Sequence, residues 1–205
     1  MGEDYRTVGI ILVIMNNTSA PAPGKIIILN GPSSAGKTTL ALALQKQLDV
    51  PFIRFSFDLF IEHRAFPSEQ IKSGKFSWEQ MRPAVFRGVH QCVPALAMAG
   101  NNIIFDHIIE TKAWLNELVA LIATLDVFFV GVYCSLPELE RREIQRGDRR
   151  LGEARQDFET AYAISLYDLE IDSELPLDRN VTRLIQAWQL RRRPSALDRM
   201  IDKME

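Results

Sequence analysis

The stretch Ile26 to Thr39, IIILNGPSSAGKTT, restricts this chain more than any other. Gly31, Gly36, Lys37 and Thr38 fit the spacing G-x-x-x-x-G-K-[ST], with an apolar run ending at Asn30 before it and helix-forming residues from Thr39 to Leu48 after it. Residues without a Cβ let such a loop curl so that successive N–H groups point inward at the positive end of the following helix dipole, a setting made for phosphate oxygens. The loop residues Gly31, Pro32, Ser33, Ser34, Ala35, Gly36, Lys37, Thr38 and Thr39 are therefore candidate nucleotide-phosphate contacts. Lys37 supplies a mobile charge for the outer phosphates, and the Thr38 hydroxyl is a candidate Mg²⁺ ligand. A glycine-rich turn with a surface lysine is the alternative, and the strand before and helix after argue against it.

A strand–loop–helix start calls for an α/β sandwich, and 205 residues with 47% hydrophobic content suffice for one such core, expected over 25–205. The formal net charge of -2 argues against a general nucleic-acid binder, which would be strongly basic. Cys92 and Cys134 sit among apolar neighbours, and neither they nor His63, His90 and His107 show metal-ligand spacing, so reduced core thiols are expected. Residues 1–24 read as a leader of open status. Its apolar run, Val8 to Met15, is too short to cross a bilayer, and Glu3 and Asp4 oppose Arg6 where a secretory signal would be basic. A start at Met15 or an additional strand remain the two readings of that segment.

Down the chain, Pro51 to Asp58 alternates like a strand and ends on a carboxylate, as does Asn102 to Asp106. In an open parallel sheet both acids reach the edge where ligands collect, beside the phosphate loop. Asp106 has the form of a Walker-B residue that holds Mg²⁺. Asp58 is either a functional acid or a helix N-cap, with Glu62 one turn further on. Residues 63–77 read as a surface excursion over an acceptor site. A helix follows, begun at Ser77 or at Pro83, with an apolar stripe of Val85, Val89, Cys92, Val93, Leu96 and Ala97; His90 on it reads as surface or satisfied rather than as a ligand. Thr111 caps a helix over about 112–124, Val127 to Tyr133 is a strand buried on both faces, and Ser135 with Glu138 marks another helix start. That helix carries Arg141, Arg142, Arg146, Arg149 and Arg150. They form either a solvated charged face or, placed straight after a buried strand, a lid over about 136–157 that clamps a phosphoryl group. Residues 152–165 read as a helix, Leu169 to Ile171 as a fifth strand, and Val181, Leu184, Ile185 and Trp188 as the last helical stripe. The spacing of Leu197, Met200, Ile201 and Met204 suits packing on the core or on a partner helix.

Taken together, IIILNGPSSAGKTT, FSFDLFIE, AGNNIIFDHI, DVFFVGVYC, RREIQRGDRRLGEA and YDLEIDSE resemble, in the same order, the chloramphenicol phosphotransferase-like proteins, from about Ile26 to Trp188. The resemblance implies a P-loop NTPase fold, a three-layer α/β/α arrangement with a five-stranded parallel sheet and a helical lid. It also implies ATP-dependent phosphorylation of a small-molecule hydroxyl with ATP and Mg²⁺. The family's general base falls on Asp58 and its lid arginines on Arg146 and Arg149, with Arg142 a further nucleotide contact and Thr38 and Asp106 the metal residues. Residues 59–99 are only loosely similar, so His63, Arg64, Phe66, Trp78 and Arg82 are candidate contacts to an acceptor that the sequence does not identify. Another metabolite, such as a nucleoside or nucleotide sugar, is the alternative acceptor. A polynucleotide-end kinase is opposed by the acidic balance, and a guanine-nucleotide switch by the lack of N-K-x-D. Neither nucleic acid nor membrane is expected as a partner, an oligomer is compatible with the sequence, and ATP use points to the cytoplasm.

Overall fold

The computed structural model describes residues 21–147, 152–163 and 166–204. Five strands, β1 (Ile26–Asn30), β2 (Phe52–Ser56), β3 (Asn102–His107), β4 (Val127–Tyr133) and β5 (Leu169–Asp172), form one parallel sheet in the order β2-β3-β1-β4-β5. Every β1 residue is buried, as the middle strand of a sheet covered on both faces must be. The chain runs from β1 out to the edge strand β2, returns to β3 beside β1, and then crosses to β4 and β5 on the other side, and the reversal opens a crevice beyond the carboxyl end of β1, where the phosphate loop lies.

The helices are α1 (Lys37–Gln47), α2 (Asp58–Glu62), α3 (Ser68–Lys72), α4 (Trp78–Met98), α5 (Lys112–Ile122), α6 (Leu136–Arg146), α7 (Glu153–Ala161), α8 (Leu177–Gln189) and α9 (Ala196–Ile201). On one face, Val89 and Val93 of α4, Leu118 and Ile122 of α5 and Leu197 and Met200 of α9 pack against Ile28, Phe105 and Phe129. On the other, Leu40 and Leu44 of α1 and Val181, Leu184 and Trp188 of α8 cover Ile27, Ile104 and Val130. Alternation along β3 thus sends Phe105 to the α4–α5 side and Ile104 to the α1 side. The tail helix α9 packs on the core, begun by a capping box in which Ser195 accepts from the Asp198 N–H and Asp198 accepts from the Ser195 N–H.

Several local expectations change. The helix after residue 77 starts at Trp78, because the Ser77 hydroxyl accepts from the Gln80 N–H, and Pro83 lies within its first two turns. Its buried stripe is rotated: Phe86 and His90 face inward, while Val85 and Cys92 are only half-buried. Residues 63–77 hold the short helix α3. Ser135 is the N-cap position of α6 as expected, but the reciprocal cap bonds are absent: Glu174 accepts the Ser135 N–H at 2.8 Å, and Glu138 pairs with Arg141 and Arg142 at 2.6 and 2.7 Å. Those two guanidiniums, Arg141 first, hold the Glu138 carboxyl down to about 2. Thr111 caps α5 as expected, accepting from the Trp114 N–H. Of the leader, residues 1–20 lie outside the described residues, and Gly24 is hydrogen-bonded to the Ala97 carbonyl.

Gly31 shows why the loop needs its first glycine. A Cβ there would stand 2.4 Å from the Val132 carbonyl oxygen, so close approach to the neighbouring strand, not a special φ, is what excludes a side chain. Gly31→Ala is expected to lower stability by about 1–3 kcal/mol. A thermal melt would register this as a lower Tm, and an unchanged Tm would mean that the strand ends part without cost.

Candidate active site

Asn30 closes β1 and organises the crevice from below. Fully buried, its side-chain amide donates to the Ala161 carbonyl and the Tyr167 hydroxyl, and its oxygen accepts from the Ile109 N–H at 2.9 Å. One side chain therefore joins the end of β1 to the end of α7 and to the segment following β3. Beyond it lies a cavity of about 940 Å³ lined by the phosphate loop, the ends of β3 and β5, and residues of α2, α4, α6 and α7.

The loop residues Ser33, Ser34, Gly36, Lys37, Thr38 and Thr39 line this cavity; Gly31, Pro32 and Ala35 shape the loop behind it. Gly36 takes φ 85° at the start of α1, whose first turn has neither a side-chain cap nor an acidic residue. Ser34 has φ 65°, and its buried hydroxyl has no hydrogen-bond partner among the described residues. An uncapped helix start beside an unsatisfied hydroxyl fits a phosphate group. Lys37 is buried in the wall and its ammonium donates to the Pro32 carbonyl at 2.8 Å, which folds the charge over the curl.

Thr38 and Asp106 are brought together: the hydroxyl donates to the carboxylate at 2.6 Å. An alcohol and a carboxylate form the hard-oxygen pair that, with phosphate oxygens, suits Mg²⁺. Asp58 lines the same cavity from the first turn of α2, one residue inside the cap position, which Phe57 occupies, so the N-cap alternative does not apply. Glu62, one turn on, points instead to Arg54 at 3.8 Å.

The arginine run divides. Arg141 turns outward to Glu138 and Gln145. Arg142 turns inward, held by Glu138 and by the Ser173 hydroxyl and carbonyl at 3.0 Å, and its Nη1 would stand 3.6 Å from a Cβ on Gly36. Arg146, the last residue of α6, also lines the cavity. Arg149 and Arg150 lie outside the described residues. Buried Glu143 ties α6 to α7, accepting from the Gly152 and Ala154 N–H groups at 2.8 and 2.9 Å and so capping α7.

Among the acceptor candidates, Trp78 and Arg82 line the cavity, Phe66 packs behind Trp78 and Phe57, and exposed His63 and Arg64 stand outside it. Phe57, Phe86, His107, Glu110 and Asp157 also line the cavity and were not singled out by pattern as site residues. Phe57 and Phe86 stack at 4.5 Å, as do Phe86 and Trp114, and the Arg82 guanidinium lies 4.8 Å from the Phe86 and Trp114 ring centres. One Arg82 nitrogen contacts both Glu110 oxygens, at 2.5 and 2.6 Å, so its charge is already matched. Burial, then the charges of His90, Lys37 and Arg82, hold His107 well below the ordinary imidazole range, which keeps it neutral. Burial lowers His90 as well, against the charge of Glu117. Position signalled two of these residues: Phe86 is one helical turn from Arg82, and His107 follows Asp106.

Asp157 of α7 accepts the Ser33 N–H at 3.1 Å, placing a carboxylate at the mouth of the phosphate loop. Burial pushes its carboxyl above the usual range, only partly offset by the Ser33 amide. A raised folded value means stability that is complete below the unfolded value near about 3.9 and is lost as pH rises through the folded one. Asp157→Asn is therefore expected to raise Tm at pH 7, with the gain shrinking toward pH 4. It should also tighten ATP binding about three- to tenfold by removing a like charge, as calorimetric titration would measure. Weaker ATP binding in this variant would show that the carboxylate helps to hold the nucleotide.

The family model for chloramphenicol phosphotransferase-like proteins matches residues 24–189. "Putative O-phosphotransferase MT2714" of Mycobacterium tuberculosis is 31% identical over 86% of this chain and 88% of its own. Among solved structures, the M. tuberculosis APS kinase CysC in complex with AMPPNP and APS aligns with a TM-score of 0.62 at 16% identity, over 82% of this chain and 99% of that one. Shikimate kinase from Aquifex aeolicus aligns at 0.53 and 19% identity, over 80% and 96%. These two likenesses establish the shared P-loop kinase fold. No group of acidic, histidine or cysteine side chains among the described residues forms a metal cluster of its own, and no described helix is long and apolar enough to cross a membrane.

Proposed function

The chain belongs to the chloramphenicol phosphotransferase-like family, and from that premise we propose that it moves the γ-phosphoryl group of ATP to a hydroxyl of a small, neutral molecule with a planar apolar part. The observation that carries this is one cavity lined both by Lys37, Thr38, Asp106, Arg142 and Arg146 and by Asp58, Trp78, Phe86 and charge-matched Arg82. The phosphate loop and the two arginines bind the triphosphate and offset the charge that gathers on the phosphoryl group during transfer. Thr38 and Asp106 would hold Mg²⁺, which would supply positive charge against the phosphates. Asp58 accepts the proton of the acceptor hydroxyl and aims its oxygen at the phosphorus, a service a poor nucleophile needs. Phe57, Trp78 and Phe86 offer flat apolar surface to the rest of the acceptor and exclude water.

An aryl alcohol such as chloramphenicol suits that wall, and so does a nucleoside, whose base can stack there; the wall itself does not choose between them. A panel of hydroxyl acceptors, scored by acceptor-dependent ADP release from the purified chain, separates the two. Release with at least one neutral, ring-bearing alcohol is expected. If only phosphorylated or sulfated acceptors support release, the neutral-acceptor reading is wrong.

A further inference from the structure

Two buried histidines form a pair that phosphate transfer does not by itself require. His107 ends β3 one residue past Asp106, so its side chain leaves the sheet on the opposite face, toward α4 and α5. Only 4% exposed, it stacks on Phe105 at 4.7 Å, lies 6.0 Å from Phe86, and lines the cavity with Arg82 and Glu110. Its Nε2 is 3.0 Å from the Nε2 of His90, which has no exposed surface.

Two Nε2 atoms 3.0 Å apart cannot both carry a hydrogen, so one donates to the lone pair of the other, in one of two arrangements. If His107 donates, the hydrogen of His90 is forced onto Nδ1. If His90 donates, its Nδ1 is a bare lone pair and the hydrogen of His107 moves to its own Nδ1. The His90 Nδ1 is buried and without a hydrogen-bond partner among the described residues. Glu117, whose charge acts on His90, makes no hydrogen bond to that ring and pairs with Arg87 at 3.8 Å. A buried N–H with no acceptor is rarer in folded proteins than a buried acceptor with no donor, which selects the second arrangement.

We infer that His90 fixes His107 as the Nδ1–H tautomer, and that this N–H is a hydrogen-bond donor at the acceptor end of the cavity, reading an oxygen of the molecule to be phosphorylated. The inference deepens the phosphotransfer reading and rests on it. With Nε2 committed to His90, Nδ1 is the nitrogen His107 has left for a bound molecule. A neutral donor fits a cavity end whose one guanidinium is already matched by Glu110: it binds a hydroxyl, carbonyl or nitro oxygen without calling for a negative charge. Acceptors lacking an oxygen at that point leave the donor unpaired and are disfavoured. His90 is a positioning residue, acting only through the tautomer it imposes.

Long-range ¹H–¹⁵N spectra of the full chain, assigned by the signals lost in His107→Phe, read both tautomers without any acceptor. A bare Nδ1 on His90 and a protonated Nδ1 on His107 are expected; the reverse assignment overturns the proposal. With the panel alcohol that turns over best, His107→Phe should raise the acceptor KM about tenfold, with a smaller change in kcat and unchanged affinity for ATP. His107→Asn, whose amide nitrogen lies near the position of Nδ1, should recover part of that loss. A KM within twofold of the parent in His107→Phe, or equal losses in both variants together with lost ATP affinity, would reduce the pair to a packing role. Refusal of every panel member counts against the phosphotransfer reading, while the spectra still decide the tautomer.

Discussion

Lys37→Ala is expected to remove nucleotide-dependent turnover, with a loss of at least about 10²–10³-fold, the range for deleting one preorganised charge from a phosphoryl-transfer site. Lys37 stands at the start of α1, buried in the wall, with its ammonium on the Pro32 carbonyl. A group held there is in place before the nucleotide arrives, so little reorganisation opposes its use. Removing it costs the phosphate-loop contact and a charge that Arg142, occupied by Glu138 and Ser173, is not positioned to replace. The fold should survive, because α1 is held by Leu40 and Leu44 in the core. Steady-state ADP release and a thermal melt on the same sample check both statements. Unchanged turnover would show that the loop does not serve a triphosphate.

Asp58→Asn should lower kcat by about 10²-fold or more while ATP affinity stays close to that of the parent. The carboxylate lies on α2, outside the phosphate loop, and lines the same cavity as Trp78 and Phe86. Asparagine keeps the size and can still orient a hydroxyl, yet it takes no proton, so the loss isolates proton acceptance from placement. A fall of less than about threefold would assign the proton to another group or to water. Matched titrations of ATP and initial rates with the best acceptor separate the two effects.

Much of the sheet and the phosphate end was legible in the chain because both rest on local signals. The first four residues of β1 are apolar because the strand is central, and the glycine spacing after it has one geometry, so Thr38 and Asp106 are each legible as metal residues, and the fold brings them to 2.6 Å. The acceptor end was less legible. Trp78 and Arg82 were within reach of pattern, but nothing in the pattern marked Phe57 and Phe86, whose exposure to a cavity depends on where α2 and α4 lie. His90 read as surface or satisfied, and it is buried and paired with His107, a partner that the stripe on α4 could not name because it comes from β3. Asp157 had no signal at all: its role depends on how α7 is seated by Glu143 and Asn30, contacts of long sequence separation. The Ser135–Glu138 signature located the start of α6, while its bonds depend on distant partners: Glu174 takes the Ser135 N–H and two arginines one turn further on take Glu138.

Following the labelled γ-phosphoryl group of ATP through a single turnover is the most direct test of convergence in this cavity. Label appearing on a hydroxyl of a neutral ring-bearing acceptor, absent in Lys37→Ala and slowed at least about 10²-fold in Asp58→Asn, is the predicted result. Label released only as inorganic phosphate, or reaching the acceptor equally fast in all three proteins, would contradict it.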